Sequence, residues 1–368
     1  MRCLPTTLAL LVLALPAAAV ERSEEVDFEV EIVAEGLEHP WALAFLPDGD
    51  MLVTERPGRL LRVAPNGSSE VIGGVPEVMA RNQGGLLDVA LHPDFADNRL
   101  VYLSYSEPRR GGSVTAVGRG ALRNGALTDF EVIFRATPPV DSSKHFGSRL
   151  AFDGDGYLFV TSGERGRREH AQAMDKYHGK VIRLLPDGSI PDGNPYVGQQ
   201  GVQPGIYSYG HRNPQGMIVH PPSGRIWVNE HGPRGGDEVN IVEPGGNYGW
   251  PEVTYGREYY GPEIGPDTRP DVVDPIHQWT PSIAPSGMAW YQGDAFPDWR
   301  GDLFVGALAL THLARLELDG ERVVGEERLL EDRNWRIRDV RAGPDGMIYL
   351  LVDAADAPLV RLVPADGA

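Results

Sequence analysis

The sequence predicts an all-β protein, a six-bladed β-propeller whose blades are four-stranded antiparallel sheets. Three observations lead to this prediction: one hairpin pattern recurs six times, 45 Gly and 31 Pro stand singly at turn-like positions, and no long helical period interrupts the strands. The copies begin at positions 41, 86, 149, 216, 287 and 337, so 45 to 71 residues separate consecutive starts. That spacing suits a four-stranded sheet with loops of variable length.

Each copy consists of an alternating apolar run, a turn such as Asp-Gly or Ser-Gly, a second apolar run and a polar or acidic residue. Alternation around such a turn predicts a β-hairpin, because these turns need residues that tolerate a positive φ. A single blade cannot bury both of its faces, so six blades are expected to stack in a ring. The six copies are Trp41–Arg56, Leu86–Glu107, Arg149–Glu164, Gly216–His231, Gly287–Ala307 and Ile337–Ala354.

Closure of the ring is the next expectation. The strand-like segment Phe28–Gly36 precedes the first copy, and we predict that it pairs with the last blade, which makes residues 20–368 a single domain. Two packed β-sandwiches would account for the strands but not for the repeated turn motif. Loops at one end of a propeller converge on the central channel, so a ligand is expected there.

The first 19 residues are predicted to be a secretory signal peptide. Arg2 gives a positive start, Leu8–Leu15 is an apolar run too short to span a bilayer, and Ala17–Ala19 is typical of a cleavage site. The only cysteine, Cys3, precedes the apolar run and is not placed for lipid attachment. We therefore expect a periplasmic or secreted protein without stable membrane insertion, disulfides, thiol nucleophiles or Cys-ligated zinc.

The composition is that of an ordinary soluble globular chain, with 41% hydrophobic and 23% charged residues. The formal net charge of −18 argues against a nucleic-acid partner, because binding a phosphate backbone requires a basic surface. An acidic surface suits a neutral or cationic small substrate without naming one.

Polar stretches stand where the predicted strands begin or end. In a propeller the starts and ends of the hairpins project into a common mouth, so these stretches are candidates for a functional site. They cover residues 82–85, 145–149, 210–215, 230–241, 246–251 and 335–339.

A histidine and a carboxylate frame the third copy. His145 comes just before it and Glu164 ends it, so the hairpin can bring the two together although 19 positions separate them. A carboxylate beside an imidazole fixes its tautomer and raises its basicity, which predicts a general base near neutral pH. A surface histidine with an incidental acidic neighbour is the alternative.

Arginines mark two further stretches. Arg212 and Asn213 offer a guanidinium fork and an amide, which suit carboxylate or quinone oxygens. Arg336 and Arg338 alternate, so both point to one face of an extended segment and together attract an anion. A solvated edge strand with ordinary surface arginines is the alternative for the second pair.

Oxygen donors are concentrated between Gly232 and Tyr248. Gly232 and Pro233, with Asp237–Glu238, predict a turn-rich loop that combines free backbone carbonyls with carboxylates, and Tyr248 follows on a glycine-rich turn. Hard oxygen donors favour calcium over a transition metal, although the spacing is not that of an EF-hand. A plain acidic loop is the alternative.

Seven motifs follow one another in order along the six copies. They are Gln83–Asp88, His145–Arg149, Tyr209–Gln215, Glu230–Pro233, Asp237–Glu238, Gly246–Pro251 and Arg336–Asp339. Together they resemble the soluble sugar dehydrogenases that depend on pyrroloquinoline quinone (PQQ), the glucose/sorbosone dehydrogenase family, and in particular its periplasmic aldose sugar dehydrogenases. The resemblance extends over residues 30–363, and that family is a six-bladed propeller, in agreement with the repeat count.

The resemblance implies oxidation of an aldose at its anomeric carbon to the lactone, with hydride transfer to PQQ and electrons passed to an external acceptor. It implies that His145 is the general base, that Glu164 orients it, and that Arg212 stabilises charge on the quinone. The implied contacts to PQQ are Gln83, Arg212, Asn213, Tyr259, Arg336 and Arg338. The implied ligands of calcium are the carbonyls of Gly232 and Pro233 at the ion that binds the quinone, and Glu238 and Tyr248 at a second, structural ion.

Two positions depart from the family pattern. An aspartate often stands where this chain has Glu164, and a lysine often stands where it has Ala309. The lysine would contact PQQ, so either a nearby arginine substitutes for it or the affinity for PQQ is lower.

The residues leave two other functions open. A calcium-dependent lactonase or other hydrolase would need several side-chain carboxylates on one catalytic metal, whereas the expected cofactor metal takes mainly backbone oxygens. A non-catalytic binding propeller would be favoured by the loss of His145 or Arg212, and both are present. A monomer is favoured, and the preferred sugar and the electron acceptor stay open.

Overall fold

Six antiparallel sheets form a closed ring in the computed structural model, which describes residues 20–365. The predicted leader, residues 1–19, lies outside the described residues. The chain begins with β1 (Val20–Arg22) and β2 (Asp27–Leu37). Blade 1 contains β3 (Pro40–Phe45), β4 (Met51–Glu55), β5 (Arg59–Val63) and β6 (Ser69–Ile72); blade 2 contains β7 (Leu86–Leu91), β8 (Leu100–Arg109), β9 (Gly112–Arg123) and β10 (Ala126–Arg135); blade 3 contains β11 (Leu150–Phe152), β12 (Leu158–Ser162), β13 (Lys180–Leu184) and β14 (Ile206–Tyr209).

The second half of the chain repeats this order. Blade 4 contains β15 (Pro214–Val219), β16 (Ile226–Glu230), β17 (Asp237–Val242) and β18 (His277–Trp279); blade 5 contains β19 (Pro285–Trp290), β20 (Leu303–Ala307), β21 (Leu313–Asp319) and β22 (Arg322–Leu329); blade 6 contains β23 (Ile337–Ala342), β24 (Ile348–Val352) and β25 (Ala357–Pro364). Within residues 20–365, helical structure is limited to α1 (Phe95–Asn98) and three short 3₁₀ turns at Arg168–Ala171, Pro297–Trp299 and Glu331–Arg333. Each of the six predicted hairpins is confirmed, and in blade 2 the turn is replaced by α1.

The ring closes through the two ends of the chain. Strand β2 pairs with β25 antiparallel, from Phe28 opposite Pro364 to Leu37 opposite Ala357, and so supplies the fourth strand of blade 6. This pairing confirms the predicted role of the segment that begins at Phe28. Strand β1 pairs antiparallel with the outer edge of β2, so blade 6 has a fifth strand.

Burial follows from the position of each strand within its blade. The second strands β4, β12, β16, β20 and β24 are each five residues long and buried at every position, because neighbouring blades cover both faces. The outer strand β22 alternates between exposed and partly buried residues over most of its length. Apolar clusters fill the spaces between blades, such as Leu52 and Leu60 of blade 1 against Leu86 and Leu103 of blade 2.

The first strands surround the central axis. Each first strand contacts the first strand of the next blade, and β23 of blade 6 contacts β3 of blade 1. Because every blade repeats the same strand order, the loops before the first strands and after the second strands gather at one end of the ring, here called the mouth. Within residues 20–365, no helix is long and apolar enough to cross a membrane.

Candidate active site

A cavity of about 370 Å³ opens at the mouth, and all six blades contribute to its wall. This is the mouth cavity. The residues that line it include the predicted Gln83, Arg336 and Arg338, together with residues adjacent to the predicted histidine. The full wall is Trp41, Arg56, Asn82, Gln83, Leu87, Phe146, Gly147, Gln215, His231, Ala284, Leu308, Arg336, Arg338 and Asp353.

The predicted histidine and carboxylate meet beside this cavity. His145 Nδ1 lies 2.9 Å from Glu164 Oε1, and both side chains are buried. The backbone at His145 has a φ of 57°, and its N–H donates to Oε1 of Gln83 at 2.7 Å. The loop before blade 2 thus holds the loop that carries the histidine.

Burial and charge set the protonation of this pair. Burial lowers the pKa of His145 below its ordinary value, while the hydrogen bond and negative charge of Glu164 act in the opposite direction. Burial opposes the ionisation of Glu164, but His145 and Arg212 together hold its pKa below the ordinary value. The imidazole is therefore neutral near pH 7, and a proton on Nδ1 donated to the carboxylate leaves the lone pair on Nε2.

Arg212 and Asn213 connect blade 4 to the histidine loop. The Arg212 guanidinium donates through Nη1 to the carbonyls of Gly232, at 2.7 Å, and His231, at 3.2 Å. Oδ1 of Asn213 accepts the N–H of Gly147 at 3.2 Å. The predicted arginine–amide pair therefore lies behind the wall of the mouth cavity, bonded to His231 and Gly147, which line it.

A buried network supports Arg212, and its members His211 and Glu230 lie in the candidate stretches, although the sequence predicted no role for either. Glu230 accepts the backbone N–H of Arg212 on Oε2 at 2.6 Å, and its Oε1 lies 2.7 Å from Nδ1 of His211. His211 Nε2 in turn lies 2.8 Å from the hydroxyl of Ser208. The repeat contains a signal for this contact. Glu55 ends the second strand of blade 1 as Glu230 ends that of blade 4, and Glu55 likewise accepts a backbone N–H, that of Glu38, from the loop before the first strand of its blade.

Three arginines surround one carboxylate in the wall of the mouth cavity. Asp353 lies 3.6 Å from Arg336, 3.6 Å from Arg338 and 3.8 Å from Arg56. Burial opposes its ionisation, but Arg338 and the other cations lower the pKa of Asp353 to about 2. Burial lowers the pKa of Arg338 to about 10, so it remains charged at neutral pH. The wall therefore carries a surplus of positive charge.

Sequence reasoning missed Arg56, Asp353 and Trp41 as site residues. All three stand at the limits of the repeated hairpins, Trp41 and Arg56 at the two ends of the first copy and Asp353 just before the end of the sixth. The position of a residue in the repeat would have identified them. Arg336 also donates to the carbonyl of Leu308 at 2.6 Å, so an arginine reaches the loop that holds Ala309.

The predicted calcium ligands fall into two places. Gly232, Glu238 and Tyr248 line one small cavity of about 10 Å³ together with Arg212. Pro233 lines a separate, larger cavity with Tyr259. The hydroxyl of Tyr259 lies 3.3 Å from Nη2 of Arg212, although its side chain is largely exposed.

Two expectations about this region are wrong. Asp237 and Glu238 do not lie in a loop but begin strand β17: Asp237 pairs with β18, and Glu238 pairs with both β16 and β18. The carbonyl of Gly232 is not free, since it accepts a hydrogen bond from Arg212. The hydroxyl of Tyr248 likewise donates to the carbonyl of Ile241 at 2.7 Å, which leaves its backbone oxygen as the available donor to a metal.

The environment of the small cavity disfavours ionisation of the Glu238 carboxyl group. Burial raises its pKa, and the neighbouring negative charge of Glu230 raises it further, while Asn240 donates to Glu238 at 3.1 Å. Among residues 20–365, no group of three or more His, Cys, Asp or Glu side chains is placed to hold a metal ion. A metal here would therefore depend on backbone oxygens in addition to carboxylates.

The six blades and the buried base beside an arginine-lined cavity define a β-propeller enzyme. The family model described as Glucose / Sorbosone dehydrogenase matches residues 37–361. Aldose sugar dehydrogenase YliI of Escherichia coli is 48% identical over 344 residues, which are 91% of this chain and 92% of that protein. This chain belongs to the glucose/sorbosone dehydrogenase family.

Solved structures agree with this assignment. The apo form of the soluble aldose sugar dehydrogenase from E. coli superposes with a TM-score of 0.90 at 46% identity, over 92% of this chain and 100% of the other. The PQQ-bound form of aldose sugar dehydrogenase from Streptomyces coelicolor superposes with a TM-score of 0.76 at 30% identity, over 91% and 98% of the two chains. The six-bladed fold predicted from the sequence is thus confirmed.

Proposed function

We propose that this protein oxidises aldose sugars at the anomeric carbon to lactones, using PQQ and calcium, and passes the electrons to an external acceptor. The observation that carries the proposal is the buried His145–Glu164 pair beside a cavity lined by arginines. A general base next to a site for an anionic cofactor is the combination that this oxidation requires.

The mouth cavity fits an anionic, planar cofactor. Arg56, Arg336 and Arg338 face a single carboxylate, Asp353, so their charge is only partly offset within the protein. The buried Nε of Arg212 has no hydrogen-bond partner among the described residues, and such a donor is costly unless a ligand satisfies it. The three carboxylates and the quinone oxygens of PQQ supply acceptors of this kind.

The small cavity next to Arg212 fits calcium. Two buried carboxylates, Glu230 and Glu238, repel each other there, and a divalent cation would relieve that repulsion. Glu238 and the backbone oxygen of Tyr248 would hold a structural ion in this cavity. The carbonyls of Pro233 and of Gly232, which keeps one lone pair beside its hydrogen bond from Arg212, would hold the ion that binds the quinone. When bound, PQQ supplies the hydride acceptor and calcium supplies positive charge that offsets its carboxylates.

The protein's own groups manage the proton. Nε2 of His145 takes the proton of the anomeric hydroxyl, and the imidazolium that forms is stabilised by Glu164 at 2.9 Å. Gln83 holds the backbone of His145 in place. Arg212, fixed by two carbonyls through Nη1, orients oxygen atoms at the wall of the cavity and stabilises negative charge there.

We place this reaction in the periplasm or outside the cell, on a monomer. The supporting features are the leader-like residues 1–19 and the absence of cysteine from the sequence after Cys3. The external acceptor is what the family resemblance implies for the electrons that leave the bound quinone.

Reconstitution tests the proposal. Purified protein should gain dye-linked aldose oxidation only when PQQ and calcium are both added, and its absorption spectrum should show bound quinone that the sugar reduces. Protein with neither bound quinone nor sugar-dependent reduction would contradict the proposal. Lactone hydrolysis by the same sample would favour a hydrolase instead.

A further inference from the structure

Basic side chains line one side of the mouth, on the loops of blades 2 and 3, and the proton transfer proposed above does not use them. They are exposed and belong to Arg81, Arg110, Lys144 and Arg167. We call this group the basic arc. Arg81 is next to Asn82, and Lys144 is two residues before Phe146; both Asn82 and Phe146 line the mouth cavity. The basic arc therefore borders the opening of that cavity.

Contacts within blade 2 bring two members of the arc together. Arg110 lies at the tip of the hairpin formed by β8 and β9, and Ser113 in that hairpin exchanges two backbone hydrogen bonds with Val140, at 3.0 and 3.1 Å. Asp141, the next residue, lies 3.7 Å from Arg81. Both of these side chains are exposed, so the ion pair is weak and leaves the guanidinium available to a partner.

A buried arginine fixes the other two members. The guanidinium of Arg165 donates to the carbonyls of Lys144 and Ser113, both at 3.0 Å, and all of its hydrogen bonds within residues 20–365 go to uncharged oxygen atoms. Burial lowers the pKa of Arg165 to about 9, so it stays charged at neutral pH. The Cε atom of Lys144 lies against Gly166, the residue before Arg167. A buried positive charge therefore lies beneath the exposed ones.

Little negative charge offsets the basic arc. Arg109 and Arg168, each adjacent in sequence to a member of the arc, are both paired with a glutamate. Arg110, Lys144 and Arg167, in contrast, form no ion pair with any residue that the structure describes. Their charges are free to interact with a partner at the mouth.

The opposite ends of the same two blades have the reverse charge. The exposed arginines in the loops there are Arg99 and Arg123. Those loops also contain six aspartates that form no ion pair with Lys or Arg among the described residues, namely Asp94, Asp97, Asp153, Asp155, Asp187 and Asp192. In a protein whose formal net charge is −18, blades 2 and 3 thus present positive charge at the mouth and negative charge at the other end.

A basic border beside the proposed redox site suits a protein of negative charge. Exposed charges that have no partner in the free protein steer an oppositely charged protein to the surface and raise its rate of association. Complexes between redox proteins are small and transient, so their formation depends strongly on such steering. An anionic membrane is a poorer partner, because the net charge of −18 repels an extended negative surface.

We infer that the basic arc is the docking surface for the electron acceptor, and that this acceptor is an acidic one-electron carrier protein. The inference rests on the proposed function, which supplies the electrons. Oxidation of one aldose to its lactone releases two electrons and two protons. Two carriers dock in turn, each is reduced by one electron, and the two protons pass to the solvent.

Cytochrome c in two forms tests the inference, as the basic unmodified protein and as the same protein made acidic by succinylation of its lysines. At an ionic strength of about 0.01 M, where charges act over about 30 Å, the wild-type holoenzyme with an aldose should reduce the acidic form about 10-fold faster than the basic form. At about 1 M this difference should disappear. The net charge of the whole protein predicts the opposite preference, so faster reduction of the basic form would overturn the inference.

Reversal of single charges locates the docking surface. Arg110→Glu and Arg167→Glu should each lower kcat/KM for the acidic cytochrome about 3- to 10-fold at low ionic strength, while kcat/KM for the aldose with a neutral dye stays within about twofold. Arg123→Glu is the matched control, since Arg123 is exposed at the other end of blade 2 and the substitution changes the net charge equally. Equal losses in all three variants would show an effect of net charge alone and overturn the inference.

Binding separates this inference from the proposed function. Surface plasmon resonance measures the affinity for succinylated cytochrome c without sugar. If the wild type oxidises no aldose, the proposed function fails; weaker binding by Arg110→Glu and Arg167→Glu, but not by Arg123→Glu, would still support the basic arc as a docking surface, and equal binding by all three would overturn it.

Vesicles of phosphatidylglycerol are the second probe of binding. No binding of the wild type to them supports a protein partner. Vesicle binding that Arg110→Glu and Arg167→Glu both abolish would assign the basic arc to a membrane surface and overturn the inference. Circular dichroism checks that the variants are folded.

Discussion

The Nδ1 atom of His145 lies 2.9 Å from Oε1 of Glu164, although 19 residues separate the two in the chain. Three loops produce this contact. Gln83 holds the backbone of His145 at 2.7 Å, and the carbonyl of Arg212 accepts the backbone N–H of Glu164 at 2.9 Å. Because blades 2, 3 and 4 all contribute, the base is fixed in position before a substrate arrives.

Replacement of the base should separate binding from turnover. His145→Ala is expected to bind PQQ as the wild type does but to lower kcat by roughly 10²- to 10⁴-fold, the usual loss when a general base is removed. Absorption spectra measure bound cofactor, and dye reduction measures turnover. His170→Ala is a suitable control, since His170 belongs to the next loop segment and bonds to no residue of the mouth cavity. Equal turnover in His145→Ala would remove this residue from the mechanism.

The dependence on pH should follow the His145 imidazole. Burial lowers its pKa from the ordinary 6.5, so the neutral, active base persists below that pH and kcat/KM should decline only in more acidic solution. Glu164→Gln removes an interaction that raises this pKa, so the acid limb should move to still lower pH while the plateau falls. An acid limb above pH 6.5, or one that the variant does not move, would contradict the assignment.

The carboxylate of Glu230 should contribute to the affinity for PQQ as well as to the stability of the fold. Glu230→Gln replaces a carboxylate that accepts hydrogen bonds from both His211 and Arg212, so we expect a lower melting temperature and weaker binding of PQQ. Glu55→Gln is the matched control, because Glu55 is equally buried at the same position of blade 1. It should lower the melting temperature without changing the affinity for PQQ, as measured by quenching of protein fluorescence. Equal affinity in both variants would show that Glu230 is only structural.

Calcium should stabilise the folded protein through Glu238. A ligand that binds only the folded state raises the melting temperature as its concentration rises. Glu238→Gln should lose most of that increase, yet above pH 8, where Glu238 is ionised, it should melt higher than the wild type without calcium, because the substitution removes repulsion with Glu230. Differential scanning calorimetry with and without a chelator measures both effects. Asp271→Asn, at an exposed carboxylate, is the control and should show the same calcium-dependent increase in melting temperature as the wild type. If Glu238→Gln also showed the full increase, calcium would bind elsewhere.

Much of the architecture could be predicted from the local alternation of apolar and polar residues. The alternation around each turn depends only on which side chains face a neighbouring blade, so six hairpins and their spacing could be predicted from the printed chain. The approach of His145 to Glu164 could also be predicted, since both lie at the same end of one hairpin. The prediction of a loop at Asp237 and Glu238 was wrong: glycines and acidic residues in this stretch are typical of a loop, but the backbone forms a strand.

The sequence by itself therefore determined the blades, their number and the end of the ring at which polar side chains collect, because period-two burial is a local property. Only the tertiary structure decided which of those side chains meet. Asp353 forms an ion pair with Arg56, which is 297 residues away in the chain. Arg212 donates a hydrogen bond to the carbonyl of Gly232. Such contacts depend on how the blades pack in the closed ring and on the backbone conformation of each loop, such as the positive φ of His145. No short stretch of sequence contains that information.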